Sequence, residues 1–235
     1  MKEEPGFERR FFMAKKPKQK FLLAGAAFLL FAVYTVLVRT VDVKVFLEDM
    51  TVGFSSVNIA VFEGLGGYHE WLYNFSEFLI YPMILSALCF GAFGAYQLWT
   101  RKSFWKVDVD IVMLGVFYIL IVVFYVIFGV FAVNYRPILI GGSREISYPS
   151  SHTFVIVAAT GAIMMQANRR LGNEKTKKTV FAAGGVYIAG SVLLRFLCGA
   201  HWFSDIFGGL ILGTALLLLY DAGLSLIRPK GKEIL

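Results

Sequence analysis

Six apolar runs dominate this sequence, each long enough to cross a bilayer, and they leave few folds open to it. They lie near residues 21–38, 78–98, 109–133, 152–167, 179–198 and 203–226. A helix rises about 1.5 Å per residue, so roughly 17 to 25 residues cover the hydrocarbon core of a membrane. Backbone polar groups in lipid must be satisfied internally, and for runs of this length the α-helix does so. The predicted fold class is therefore all-α, a bundle of six transmembrane helices. Composition agrees: at 57% hydrophobic and 17% charged residues over 235 positions, a soluble domain could not hide its apolar surface.

The segments between the runs set the orientation. Of the 23 Lys and Arg residues, 18 fall in residues 1–20, 99–108, 168–178 and the tail from Arg228. Alternating spans put all four segments on one side, which the positive-inside rule identifies as the cytoplasm, with both termini there. The net charge of +7 thus reads as membrane orientation and not as a nucleic-acid footprint. The predicted organisation is a basic cytoplasmic tail over 1–20, a six-span domain over 21–227 and a cytoplasmic tail over 228–235. Lys15, Lys16, Lys18 and Lys20 precede the first run, and no small-residue cleavage pattern follows it before Arg39. An uncleaved signal-anchor is expected. The outer connection over 39–77 is long, and Val43–Leu47 and Val57–Phe62 are expected as short interfacial helices. A lid, a lipid-access surface and a packed loop all suit it. Cys89 and Cys198 lie in apolar runs without metal-ligand spacing, so core packing is expected of both.

Three segments place polar groups beside span ends, where ionisable residues are costly and point to function. Asn134-Tyr135-Arg136-Pro137 follows the third run. Its proline stops the helix, and its arginine offers a planar fork suited to phosphate. Taken alone, such an arginine is more often a snorkelling anchor. Tyr148-Pro149-Ser150-Ser151-His152-Thr153 opens the fourth run. There a serine cap and free first-turn N–H groups form an anion site beside a titratable imidazole. In the third segment, Arg195 is followed by His201 and Asp205 across the junction of the last two runs. His201 and Asp205 are four apart, so on a helix they share a face, and a carboxylate on one ring nitrogen orients the other as nucleophile or base. The charge-derived topology puts all three segments on the same, outer membrane face. None of them was needed to count the spans.

On these residues the sequence resembles the type 2 phosphatidic acid phosphatase superfamily, whose pattern is K-x(6)-R-P, then P-S-G-H, then S-R-x(5)-H-x(3)-D. The matching pieces are Arg136-Pro137, Pro149-Ser150-Ser151-His152, and Arg195 with His201 and Asp205. Three positions depart from the pattern. Gly129 stands where the family has lysine, Ser151 where it has glycine, and Leu194 where it has serine.

The resemblance implies a membrane lipid phosphatase with a phosphohistidine intermediate. His201 would be the nucleophile, oriented by Asp205, and His152 would protonate the leaving oxygen and then activate water. Arg136, Arg195, Ser150 and Ser151 would hold phosphate oxygens. No carboxylate cluster at metal-ligand spacing accompanies them, so neither a metal nor a cofactor is expected. The partners are a lipid phosphate and the bilayer, with no nucleic acid. Undecaprenyl diphosphate comes first among the candidate substrates, followed by phosphatidic acid and phosphatidylglycerol phosphate. Two alternatives stay open: a lipid phosphotransferase, and a non-catalytic lipid-phosphate binder, which the absent lysine favours. A transporter fits less well, since its charges would sit at the midplane.

Overall fold

The computed structural model describes residues 16–46 and 51–227. Each apolar run falls on a long helix. These are α1 (Pro17–Thr40), α4 (Tyr81–Arg101), α5 (Val109–Val130), α6 (Ser151–Arg170), α7 (Glu174–Leu197) and α8 (Phe203–Leu224). Helix starts follow local chemistry. Proline occupies the first turn of α1 and of α4, where its missing N–H costs nothing. The Asn173 side chain accepts from the Lys175 and Thr176 amides to cap α7. α1 begins at Pro17, inside the stretch expected as tail. The rest of that tail, residues 1–15, and the tail over 228–235 lie outside the described residues.

Among the described residues, five stretches are long and apolar enough to cross a membrane: Pro17–Thr40, Glu70–Arg101, Val109–Val130, Glu174–Leu197 and Phe203–Leu224. α6 is not among them, because Ser151, His152, Thr153, Gln166, Arg169 and Arg170 dilute its hydropathy. It is instead one of the two most enclosed long helices, with α8, and packs against α4, α5, α7 and α8. Phe154, Ala158, Ala159 and Ala162 on it are fully buried. A helix surrounded by protein does not meet lipid and need not be apolar all round. α8 lies between α1 and α6. Its contact with α6 is close because Gly213 lets the Phe154 carbonyl and the Val157 side chain approach to where a Cβ would stand. The opposite surfaces, including Leu29, Leu30, Leu85, Leu88, Val116 and Ile119, are exposed and apolar, as suits a protein solvated by lipid tails.

The long connection after α1 differs from expectation in its first part. Residues 44–45 form a strand, not a helix, paired antiparallel with 51–52 in the register Lys44↔Val52 and Val45↔Thr51. β-branched Val43 and Val45 favour that extended form. Val57–Phe62 does lie in a helix, α2 (Ser55–Gly64), and a further helix, α3 (Glu70–Phe78), follows. Cys198 is buried, whereas Cys89 is exposed, so core packing holds for only one of the pair. Cys89 sits on the outward face of α4.

The two ends of the bundle are chemically distinct. At one end Lys20 pairs with Asp221 at 2.8 Å, Arg101 with Asp108 at 2.9 Å, and Arg170 with Asp110 at 2.7 Å. At the other end stand the three polar segments, together with the hairpin, α2 and α3.

Candidate active site

Arg136 sits on a tight β-hairpin-like loop between α5 and α6. Tyr135 bridges Ile146 and Ile140 bridges Ser143. Gly141 and Gly142 supply the turn with φ of +58° and +77°, the left-handed pair that two-residue hairpins require. The Arg136 amide donates to the Glu145 carbonyl at 3.0 Å, and the Ser147 amide to the Asn134 carbonyl at 2.9 Å. The loop therefore presents Arg136 and Ser147 side by side. Glu145 adds an ion pair to Arg136 Nε at 2.9 Å.

α6 begins directly after this loop. Its first intrahelical bond runs from the Phe154 amide to the Ser150 carbonyl, so the preceding amides have no carbonyl partner within the helix. Ser150 is fully buried, its amide donates to the Asp205 carbonyl at 3.0 Å, and its Oγ accepts from Thr153 at 3.0 Å. It fastens the start of α6 to α8. Ser151, not Ser150, lines a cavity of about 200 Å³ shared with Gly129, Arg136, Ser147, Tyr148 and His201.

The junction of α7 and α8 brings in the remaining groups. Gly199, with φ of +69°, lets the chain turn, and a side chain there would fall on the Gly67 carbonyl. Arg195 Nη2 consequently reaches His201 Nε2 at 3.2 Å. His201 Nδ1 lies 3.1 Å from the Ser147 carbonyl and 3.7 Å from Asp205 Oδ2. This corrects the expectation of a direct His201–Asp205 hydrogen bond. A carbonyl can only accept, so it fixes the proton on Nδ1 and leaves the lone pair on Nε2, beside Arg195. Asp205 is fully buried and accepts from Asn134 Nδ2 at 3.1 Å and from the Trp202 amide at 3.0 Å. Behind it, Asn58 of α2 holds Ser204 through both its amide and its hydroxyl, and Trp202 Nε1 donates to the Tyr135 carbonyl at 2.7 Å. The three segments are thus locked into one block. Burial holds the His201 imidazole well below its usual pKa, and the charges of Arg136 and Arg195 push the same way.

α3 supplies a wall that the motifs do not reveal. Its Tyr73, Ser76 and Glu77 share one face, at helical spacing. Tyr73 lies under both guanidinium groups, 5.1 Å from Arg195 and 5.8 Å from Arg136. Arg195 Nη1 donates to Ser76 Oγ at 2.9 Å and to Glu77 Oε1 at 2.6 Å. Glu77 Oε2 lies 3.4 Å from His152 Nε2. The opposite edge of α3, Trp71, Phe75 and Phe78, is exposed. The sequence signal for this wall was a carboxylate one turn before a span, with Tyr73, Ser76 and Glu77 spaced i, i+3 and i+4.

Arg136, His152, Arg195 and His201 therefore meet at one end of the bundle, with Ser151 on the cavity wall and Asp205 beneath. Arg136 Nη1, Arg195 Nε and His152 Nδ1 are buried and have no hydrogen-bond partner in the protein. Buried donors of this kind are ordinarily satisfied, and converging cationic donors suit a multivalent oxyanion. Among the described residues, no group of three His, Cys, Asp or Glu side chains is placed to hold a metal ion. Gly129 stands in the last turn of α5 with nothing within 4 Å of a would-be Cβ.

The PAP2 superfamily profile matches residues 83–223. No curated protein sequence matches the chain. Among solved structures, a transmembrane PAP2-type phosphatidylglycerolphosphate phosphatase from Bacillus subtilis superposes with a TM-score of 0.58 at 20% identity, covering 87% of this chain and 97% of that one.

Proposed function

This chain belongs to the PAP2 superfamily, and from that membership we propose that it is a membrane phosphatase that hydrolyses a lipid phosphate or diphosphate through a phosphohistidine. The observation that carries the reading is the meeting of Arg136, Arg195, His152 and His201 around buried guanidinium and imidazole donors that the protein leaves unpaired. His201 Nε2, its proton held on Nδ1 by the Ser147 carbonyl, attacks phosphorus. The bond to the leaving oxygen breaks as His152 delivers a proton to it. Water then attacks the phosphohistidine, His152 takes its proton, and the P–N electron pair returns to His201. Arg136, Arg195 and the first amides of α6, with Ser151 on the cavity wall, hold the oxyanion charge. Ser150 acts beneath them, by fixing α6 to α8.

The same reading counts α6 as a sixth span. At 20 residues it is about 30 Å long, and its polar residues are sheltered inside the bundle. Lysine and arginine asymmetry then puts both termini in the cytoplasm and the site at the outer face of the cell membrane. There a substrate headgroup is within reach while its tails stay in the bilayer. The substrates to compare first are undecaprenyl diphosphate and phosphatidylglycerol phosphate, the latter named for the Bacillus subtilis neighbour. The test is phosphate release by the purified protein across a panel of lipid phosphates, beside His201→Ala. Release is expected from the wild type and essentially none from the variant. Equal rates from the two would remove His201 from the nucleophile's role.

A further inference from the structure

We propose that Glu77 is a positioning residue for the proton donor: its carboxylate holds His152 in the charged form and hands that imidazole's other nitrogen to the leaving group. The inference rests on the phosphatase reading above. A general acid must carry its proton when substrate is bound, and the surroundings of His152 oppose this. Arg195 from α7, Arg136 from the hairpin loop and the His201 imidazole at the α7–α8 junction all face it, and each cation nearby disfavours a second positive charge. Glu77 from α3 is the carboxylate in contact, with Oε2 at 3.4 Å from Nε2.

The geometry separates Glu77 from an ordinary surface ion pair. An exposed pair contributes little and tolerates loose placement. Here the arginine partner is 2% exposed, and its fork is fixed on three sides by Glu77, Ser76 and the Tyr73 ring. One carboxylate therefore spans the phosphate-holding cation and the proton donor, one oxygen to each. Neither ring nitrogen of His152 completes a hydrogen bond within the protein; Nε2 is the one in ion-pair contact with Glu77 at 3.4 Å, which leaves Nδ1 for the leaving group. In the first half-reaction the Nδ1–H bond breaks and an O–H bond forms on the leaving group as the P–O bond opens. In the second, the lone pair left on Nδ1 takes a proton from the attacking water. The proton on Nε2 stays beside Glu77 throughout, and the proton taken from water restores the imidazolium for the next cycle.

Glu77→Gln tests this, because it keeps the shape and removes the charge. The chain has three histidines, so ring-labelled protein in detergent micelles gives a titration curve for each by NMR. The His152 midpoint is expected to fall by about 1–3 pH units in the variant, the range for losing one contacting opposite charge. Glu77→Asp, with a retained but shorter carboxylate, is expected to fall between the two, and it serves as the test if the Gln variant does not fold. In phosphate release the alkaline limb of kcat moves down with the NMR midpoint, while KM changes little. A His152 midpoint unchanged by either variant overturns the proposal. So does a lower KM with an unchanged pH profile, because the carboxylate would then merely compete with phosphate for Arg195. If the wild type releases no phosphate from any lipid, the phosphatase reading fails, and the NMR midpoint still decides the role of Glu77.

Discussion

Replacing Asp205 by Asn isolates the consequence of the unexpected partner of His201. The carboxylate lies 3.7 Å from Nδ1, whereas the Ser147 carbonyl lies at 3.1 Å. If the carbonyl sets the tautomer, Asp205 contributes charge and not a proton-holding bond. Two unit charges about 4 Å apart attract by about 4 kcal/mol at an effective dielectric near 20. Loss of that attraction for the cationic phosphohistidine should therefore slow turnover roughly a thousandfold. A second cost falls on stability. Asp205 accepts from Asn134 Nδ2 and from the Trp202 amide through separate oxygens. An Asn side chain has only one oxygen to offer, so one buried donor loses its acceptor, at about 1–3 kcal/mol. Phosphate release measures the first effect, and thermal unfolding in detergent the second. The decisive reading is the ring ¹⁵N spectrum of His201, which should keep the Nδ1–H form in the variant. A switch to the Nε2–H form would refute the reasoning and return the orienting role to the carboxylate.

Three further outcomes are expected. Nε2 attacks only when unprotonated, and the His201 pKa is lowered, so activity is lost as pH falls through that lowered value. The acid limb of kcat/KM should therefore lie below about 6.5, the ordinary histidine value, and Arg136→Gln should raise it. Gly129→Lys meets nothing within 4 Å at its Cβ; the added ammonium beside the cavity should lower KM for a phosphate lipid by about tenfold, one charge-assisted contact. Gly213→Ala drives a methyl onto the Phe154 carbonyl and Val157 and should destabilise the bundle by about 1–3 kcal/mol in thermal or denaturant unfolding, with little change in KM.

The long helices were legible because bilayer thickness imposes a length that a run such as 109–133 shows directly. α6 was readable only as an apolar run. That it is enclosed despite its polar residues follows from packing, which lets Gln166 donate to Tyr220 inside the bundle. That Arg136, His152, Arg195 and His201 stand at one end of the bundle was legible through motif spacing and the alternation of the apolar runs. Ser147 escaped notice because it acts through its backbone carbonyl, and a carbonyl has no residue signature. Ser150 carried the right motif but sits beneath the cavity, since its amide closes onto Asp205. Residues 44–45 pair as a strand because a nearby partner at 51–52 satisfies their backbone, and alternation over so few residues does not announce it. Glu77 sat in plain view in a connection read only for its general character.

The nine residues of α3 touch the surroundings along Trp71, Phe75 and Phe78 and the reaction centre along Tyr73, Ser76 and Glu77. Each added residue turns a helix by about 100°. Two residues inserted in the first turn of α3, a rotation of about 200°, would thus trade its chemical edge for its greasy one. The same stiffness gives the surroundings of α3 a lever on the chemistry: whatever grips the indole of Trp71 also sets how squarely a carboxylate meets an imidazole on the helix's far side.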